Sequence, residues 1–299
     1  MSSLAGTKTV LVTGATGDTG RAAVRESLAL GLNVRAFVRT VDERSQALAD
    51  QGAEVVVGDF LDINTVRPAV EGVEAAYLCY PIRPGLVEAA VNFAQAAKEA
   101  GVKAVLHLSQ RSANRESTSN SCRDTFLAEQ VLNWSGVHVI HLRPTMFLEW
   151  FTYPWMLPYL QKGFLRMPVG KGTSSPVAAA DQGRAVAALL LKPEEHIGTT
   201  INLSGPVEMD HEQMAAELSE ALGREIVYQN PPVAEYVASL EEMGVYPYGL
   251  NHIGGAMIDF QNGRMSGADD NIERLTGRRS MTVGEYARAH ADLLNGTGN

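Results

Sequence analysis

Through the first 145 residues, short runs of β-branched and apolar residues alternate with longer segments in which apolar positions return every three or four places. The runs 9–13, 33–39, 54–57, 75–79, 104–108 and 138–142 are predicted strands, and several are apolar nearly throughout, as strands covered on both faces are. Between them, 18–30 carries Val24 and Leu28 one turn apart, 86–100 carries Val87, Ala90, Val91 and Ala94, and 124–135 carries Leu127, Val131 and Trp134. Each of these predicted helices stops at a glycine, Gly31, Gly101 or Gly136, the residue that most easily takes the left-handed turn closing a helix. Strand and helix in alternation predict an α/β fold, a doubly wound parallel sheet with helices on both faces.

After Arg143 and Pro144 the texture changes. Aromatics, prolines and glycines crowd 147–176, which reads as a loop-rich insertion. A helix at about 180–191 and a strand at 200–203 restore the rhythm and return the chain to the sheet as a seventh strand. The predicted domains are therefore interleaved: 1–146 with about 180–204 forms the first, and 147–179 with 205–299 forms a smaller α/β domain. From Gly205 onward, helical patterns at 210–222 and 283–294 flank an irregular stretch rich in tyrosine and glycine. No internal repeat or heptad array is present, which leaves scaffold and coiled-coil roles without support.

Composition narrows the class. The 299 residues are 45% hydrophobic and 20% charged, as in an ordinary globular protein. A net charge of −9 provides no general basic field, so neither nucleic acid nor an anionic membrane is an expected partner. Cys79 and Cys122 are too few for a disulfide framework and read as reduced structural thiols; no Cys/His cluster has zinc spacing, so no metal is expected. Residues 1–9 lack the layout of a signal peptide, and no apolar run approaches the ~18 residues needed to span a bilayer, which predicts a cytoplasmic address. The sequons at Asn133, Asn202 and Asn295 are then without meaning.

The first strand runs into Gly14-Ala15-Thr16-Gly17-Asp18-Thr19-Gly20 and directly into a helix, the spacing G-x-x-G-x-x-G. Gly14 permits the tight turn, Gly17 lets backbone approach a pyrophosphate, and Gly20 lets the helix pack on the strand. The helix N-terminus adds free N–H groups and positive potential. Strand, loop and helix in the right order make this a Rossmann-type dinucleotide cradle. The second strand then separates the dinucleotides: NAD sites place an acid at its end, whereas a 2′-phosphate calls for arginine. Here it ends at Arg39, which favours NADP(H) over NAD(H). Asp59, at the end of the third strand, is a candidate acceptor for the adenine amino group.

With these residues in place, the chain resembles the NmrA-like family of atypical short-chain dehydrogenases/reductases over nearly its whole length. The resemblance rests on VTGATGDTG, AFVRT, GDF, NWSG, HLRPTMF, NLSGP and ERLTGR. It implies NAD(P) binding, with cofactor contacts at Gly14, Thr16, Gly17, Asp18, Thr19, Arg39, Asp59, Phe60, Cys79, Tyr80, Pro81 and Ser109. Some members reduce quinones, triphenylmethane dyes or other small aromatics, while others are redox-sensing regulators with a protein partner. The parent superfamily uses Tyr-x-x-x-Lys, but 110–136 contains no Tyr, Lys or His, and Thr125 occupies the position four residues before Glu129.

Without that acid, hydride transfer suits acceptors whose reduced forms are stabilised, such as quinones and delocalised cations. The substrate is expected beyond the carboxyl ends of the strands, near Gln110, Met146, Phe147, Trp150, Phe151 and Tyr153, an aromatic set suited to a flat apolar ligand. Tyr80 is the candidate hydroxyl donor. His138 and His141 read as packed strand residues, and Glu149 as an unpaired loop carboxylate. Three functions follow: an NADP(H)-dependent reductase of a quinone-like acceptor, a non-catalytic redox sensor, or a reductase of a specialised imine or carbonyl.

Overall fold

A computed structural model describes residues 8–297; residues 1–7 and 298–299, placed by the sequence in the first and second domains, lie outside the described residues. Strands and helices alternate as β1 (Thr9–Thr13), α1 (Asp18–Ala29), β2 (Asn33–Val38), α2 (Glu43–Asp50), β3 (Glu54–Val57), α3 (Ile63–Val70), β4 (Ala75–Leu78), α4 (Leu86–Ala100), β5 (Ala104–Leu108), α5 (Asn120–Ser135) and β6 (Val139–Pro144). A 3-10 turn (Leu148–Thr152), α6 (Leu157–Gln161) and β7 (Phe164–Arg166) precede α7 (Ala179–Leu191) and β8 (Thr200–Leu203). The remainder is α8 (His211–Leu222), β9 (Val227–Gln229), α9 (Val233–Glu242), α10 (Pro247–Gln261), α11 (Asn271–Thr276), α12 (Val283–Ala289) and α13 (Ala291–Asn295).

The main sheet is parallel throughout, in the order β3-β2-β1-β4-β5-β6-β8, and β7 pairs with β9 in a second small parallel sheet. Alternation along β1 sends Val10 and Val12 to a core shared with Val24, Leu106, Ile140 and Leu189, while Leu11 faces the opposite core with Phe37, Phe93 and Leu132. A third core gathers Met146, Phe151, Leu160, Met214, Phe260 and Tyr286. The strand order turns back on either side of β1 and β4, which places a crevice at the carboxyl ends of those strands.

Several expectations are corrected. Helix α5 begins at Asn120, ahead of the predicted 124, because Ser119 caps it by accepting Cys122 N–H. His138 is exposed and precedes β6, whereas His141 is buried. The stretch read as irregular after 222 folds into α9 and α10, and the pattern at 283–294 breaks at His290 into two helices. Ile272 of α11 packs with the first core, although it falls within 205–299. Among the described residues, no helix is long and apolar enough to cross a membrane.

Candidate active site

The buried hydroxyl of Thr13 donates to Tyr77 O (2.9 Å) and accepts Cys79 N–H (2.8 Å), tying the ends of β1 and β4 together. The chain then turns through Gly14 at φ +58°, where a side-chain carbon would stand 2.9 Å from Cys79 Sγ; one on Gly20 would stand 2.1 Å from Gly14 O. Only glycine fits either place. Gly17 caps α1 without a side-chain acceptor, and the first helical bond runs from Arg21 N–H to Gly17 O (2.8 Å). The N–H groups of Asp18, Thr19 and Gly20 therefore remain for an anion.

Beside this loop opens a cavity of about 460 Å³ whose walls include Gly14, Thr16, Gly17, Arg39, Asp59, Phe60, Cys79 and Pro81. Arg39 is exposed and bonds nothing within the described chain. Asp59 accepts Leu61 N–H (3.0 Å), and the Phe60 ring packs edge-on to Phe37 and Tyr80. Burial pushes the Cys79 thiol up to about 11, so it stays protonated at neutral pH. The cavity also holds two cations that the sequence did not single out, Arg44 and Arg83. Arg44 is paired with Asp42 at 2.5 Å, and Arg83 lies 5.2 Å from the centre of the Tyr80 ring. Nothing in motif spacing marks them, because both depend on how α2 and the β4–α4 loop fold back. Free N–H groups, glycines that leave room and an unpaired guanidinium fit a dinucleotide bearing an extra phosphate.

Other expected contacts lie elsewhere. Thr19 is buried, with its hydroxyl oxygen 3.4 Å from Tyr77 Oη. Asp18 accepts from Arg21 (2.6 Å) and from Tyr153 Oη (2.6 Å), so a predicted cofactor contact and a predicted substrate contact are bonded to each other. Ser109 donates to Glu129 (2.5 Å), which is clamped by Arg143 through both carboxylate oxygens (2.8 and 2.5 Å). Gln110 donates to Thr125 Oγ1 (2.8 Å), and Thr125 donates to Ser121 O (2.7 Å), closing that hydroxyl within α5.

The Tyr80 hydroxyl donates to Pro84 O (2.8 Å) and is therefore not the free donor expected. Met146 and Phe151 have no exposed surface and belong to the third core, so they do not line a cleft. Phe147 and Trp150 remain half-buried, Trp150 edge-on to Trp155. Glu149 is not an unpaired loop acid. It accepts Ala179 N–H with both oxygens at 3.0 Å, and burial pushes its carboxyl up to about 7 against the pull of those backbone donors. A larger groove of about 1030 Å³ between α1, α7 and α11 shares no wall residue with the cradle.

This fold and loop define a Rossmann-type dinucleotide-binding protein. The model of the NmrA-like family matches residues 6–280, and the chain belongs to that family. It is 27% identical to an NAD(P)H azoreductase of Xenophilus azovorans, over 94% of this chain and 98% of that protein. It is 28% identical to quinone oxidoreductase 2 of Escherichia coli, over 92% and 96%. The structure of that NADPH-dependent quinone oxidoreductase with NADPH bound superimposes with a TM-score of 0.81, covering 94% of this chain and 99% of that one.

Proposed function

We propose that this NmrA-like protein, an NAD(P)-dependent oxidoreductase, binds NADPH in the cradle and reduces a small quinone-like or azo acceptor. The observation that carries the reading is Arg39, unpaired at the mouth of a cavity whose glycine loop offers free N–H groups. Named quinone and azo reductases among its relatives support the acceptor class. The first turn of α1 holds the diphosphate, Arg39 the 2′-phosphate, and Asp59 the adenine amino group. When bound, NADPH supplies the hydride. The Ser109–Glu129–Arg143 network fixes the ends of β5 and β6 beneath the reacting groups, and the half-buried aromatics of 147–153 shield them from water. Because Thr125 has no free hydroxyl hydrogen, acceptors that leave a stabilised anion suit the site better than simple ketones.

We place the acceptor in the domain formed by 147–179 and 205–299. Mixing the protein with NADPH and a panel of quinones, azo dyes and cationic dyes tests the reading through loss of absorbance from the reduced nicotinamide. Oxidation above the blank for at least one acceptor is expected, and none for any acceptor would overturn it. The internal bonds of Tyr80 and Thr125 favour one alternative, a non-catalytic sensor whose protein partner reads cofactor state. It requires nucleotide binding without turnover in the same assay.

A further inference from the structure

Helix α10 is stitched along the loops that follow β4 and β5. The Tyr246 hydroxyl, at its N-cap, donates to Ile82 O in the β4–α4 loop. Further along, Asn251 accepts Asn120 N–H (2.8 Å), Tyr248 donates to Asp124 (2.7 Å), and Asp259 accepts from Ser117 (2.5 Å). Gly255 abuts Ser119 so closely that a side-chain carbon would fall 2.3 Å from Ser119 N. The helix thus lies against the loops that leave the carboxyl ends of β4 and β5 and against the start of α5, the end of the sheet at which a doubly wound fold holds its ligand.

His252 sits in the middle of this seam. The Oγ of buried Ser119 accepts Cys122 N–H (3.1 Å) and lies 2.9 Å from His252 Nδ1, which is within reach of its hydrogen. With the Ser119 hydrogen directed at Nδ1, the proton of the neutral ring sits on Nε2. Among the described residues Nε2 has no partner, and it is not one of the polar atoms sealed from solvent. On the helix, Gly249, His252 and Ala256 form a row on the side away from exposed Asn251, Ile258 and Gln261, so the half-buried ring faces inward. Burial holds its pKa down at about 4, which leaves a neutral ring with a fixed N–H at neutral pH.

We propose that the Nε2–H of His252 is the hydrogen-bond donor to the acceptor's oxygen or nitrogen as negative charge develops there. Ser119 is the positioning residue that fixes the tautomer. The inference rests on the reductase reading above. A quinone gains a hydride, which is one proton with two electrons, and becomes the hydroquinone monoanion; the nicotinamide is left oxidised. The anion is held by Nε2–H and takes one proton from water, so the imidazole neither gains nor loses a proton. A donor aimed at developing charge is effective because it is already oriented.

His252→Phe removes the donor at similar size, whereas His252→Gln keeps an amide N–H near the same place. Expected for His252→Phe is a fall in kcat with a quinone of about 10- to 100-fold at unchanged NADPH affinity, and for His252→Gln a loss within about threefold. Independently of turnover, 4-nitrophenolate should bind the wild type and the Gln variant, with a shift in its absorbance, and not the Phe variant. Nitrogen NMR of the wild type should show the Nε2–H form at pH 7. Wild-type kcat in a folded His252→Phe, equal loss in both variants, or an Nδ1–H tautomer would overturn the proposal. Absence of turnover in the wild type would sink the reductase reading instead, and nitrophenolate binding would still decide on His252: loss in the Phe variant supports it, and unchanged binding refutes it.

Discussion

Arg39→Ala tests the cofactor assignment at a point where the structure separates binding from stability. The side chain is exposed and makes no bond within the described chain, so its removal leaves folding stability within about 0.5 kcal/mol. A charge-assisted contact to a 2′-phosphate contributes about 1.5–3 kcal/mol, or roughly 10- to 150-fold in affinity. Neighbouring cations compensate poorly: Arg44 is held by Asp42, and Arg83 is bonded to the Tyr80 hydroxyl at 3.2 Å. NADH has no phosphate at this position, so its affinity should change little. Titration calorimetry with NADPH and NADH at one fixed salt concentration measures both losses. Arg39→Lys should recover part of the NADPH affinity, since a point charge replaces the planar fork without its two-pronged geometry. Equal weakening of the two nucleotides, or no weakening of NADPH, would refute the reasoning.

Three further outcomes concern buried titratable groups. His211 is fully buried with neither ring nitrogen bonded, so His211→Leu should stabilise the protein by about 1–2 kcal/mol in denaturant unfolding at pH 7; destabilisation would show that the ring has an unseen partner. Burial also lowers the ring's pKa from 6.5 to about 4, so the unfolded chain takes up a proton before the folded one as pH falls below 6.5. Stability is lost through that window, and the Leu variant should lose less between pH 7 and 5 than the wild type. His107, at about 3 and with Nε2 unpaired, works in the same direction, so His107→Gln should also flatten this acid-side loss; an unchanged slope would exclude it. Glu149 has the opposite sign: its folded carboxyl keeps a proton up to about 7 that the unfolded chain releases from 4.5, so stability falls as pH rises between those values. Glu149→Gln should therefore gain more stability, about 1–3 kcal/mol, at pH 8 than at pH 5, and equal shifts at the two pH values would contradict this.

The elements that position the cradle were legible because each is strongly patterned. β1, β3, β5 and β8 fall where apolar runs placed them, and α4 ends at Gly101 as the glycine signal requires. Helices α2 and α3 escaped notice because they are short and carry few apolar positions; their starts depend on Asp42 and Asp62, which accept backbone N–H groups of the first turn. Helix α10 was hidden by the glycines at 249, 254 and 255, which read as loop. Gly255 is there for close packing against Ser119, a contact between residues 136 positions apart that no local pattern encodes. The same limit applies to the site. Motif spacing singled out Gly14, Gly17 and Arg39, which the fold brings to the wall of one cavity because they lie at the ends of adjacent strands. It misjudged Met146 and Phe151, because an aromatic or sulfur side chain in an insertion has the same composition whether it lines a cleft or fills a core.

Thr125 explains why the second half of the site came from so far along the chain. In the position where a proton donor would stand on α5, its hydroxyl is returned to Ser121 O one turn earlier and also receives Gln110, so neither hydrogen reaches outward. Any group that polarises an acceptor must then come from an element laid over the strand ends, and α10 is bonded to the β4–α4 loop, the β5–α5 loop and the start of α5 alike. The cavity proposed for the nucleotide, by contrast, is walled mainly by residues 14–60, with Cys79, Pro81 and Arg83 closing it from the β4–α4 loop. On the proposed reading, recognition of the coenzyme and recognition of the acceptor fall largely to different segments, which meet at the β4–α4 loop. Substitutions across 246–256 should therefore change which acceptors are reduced while leaving NADPH affinity near that of the wild type, a separation that parallel calorimetry and acceptor-panel kinetics on the same variants would reveal or deny.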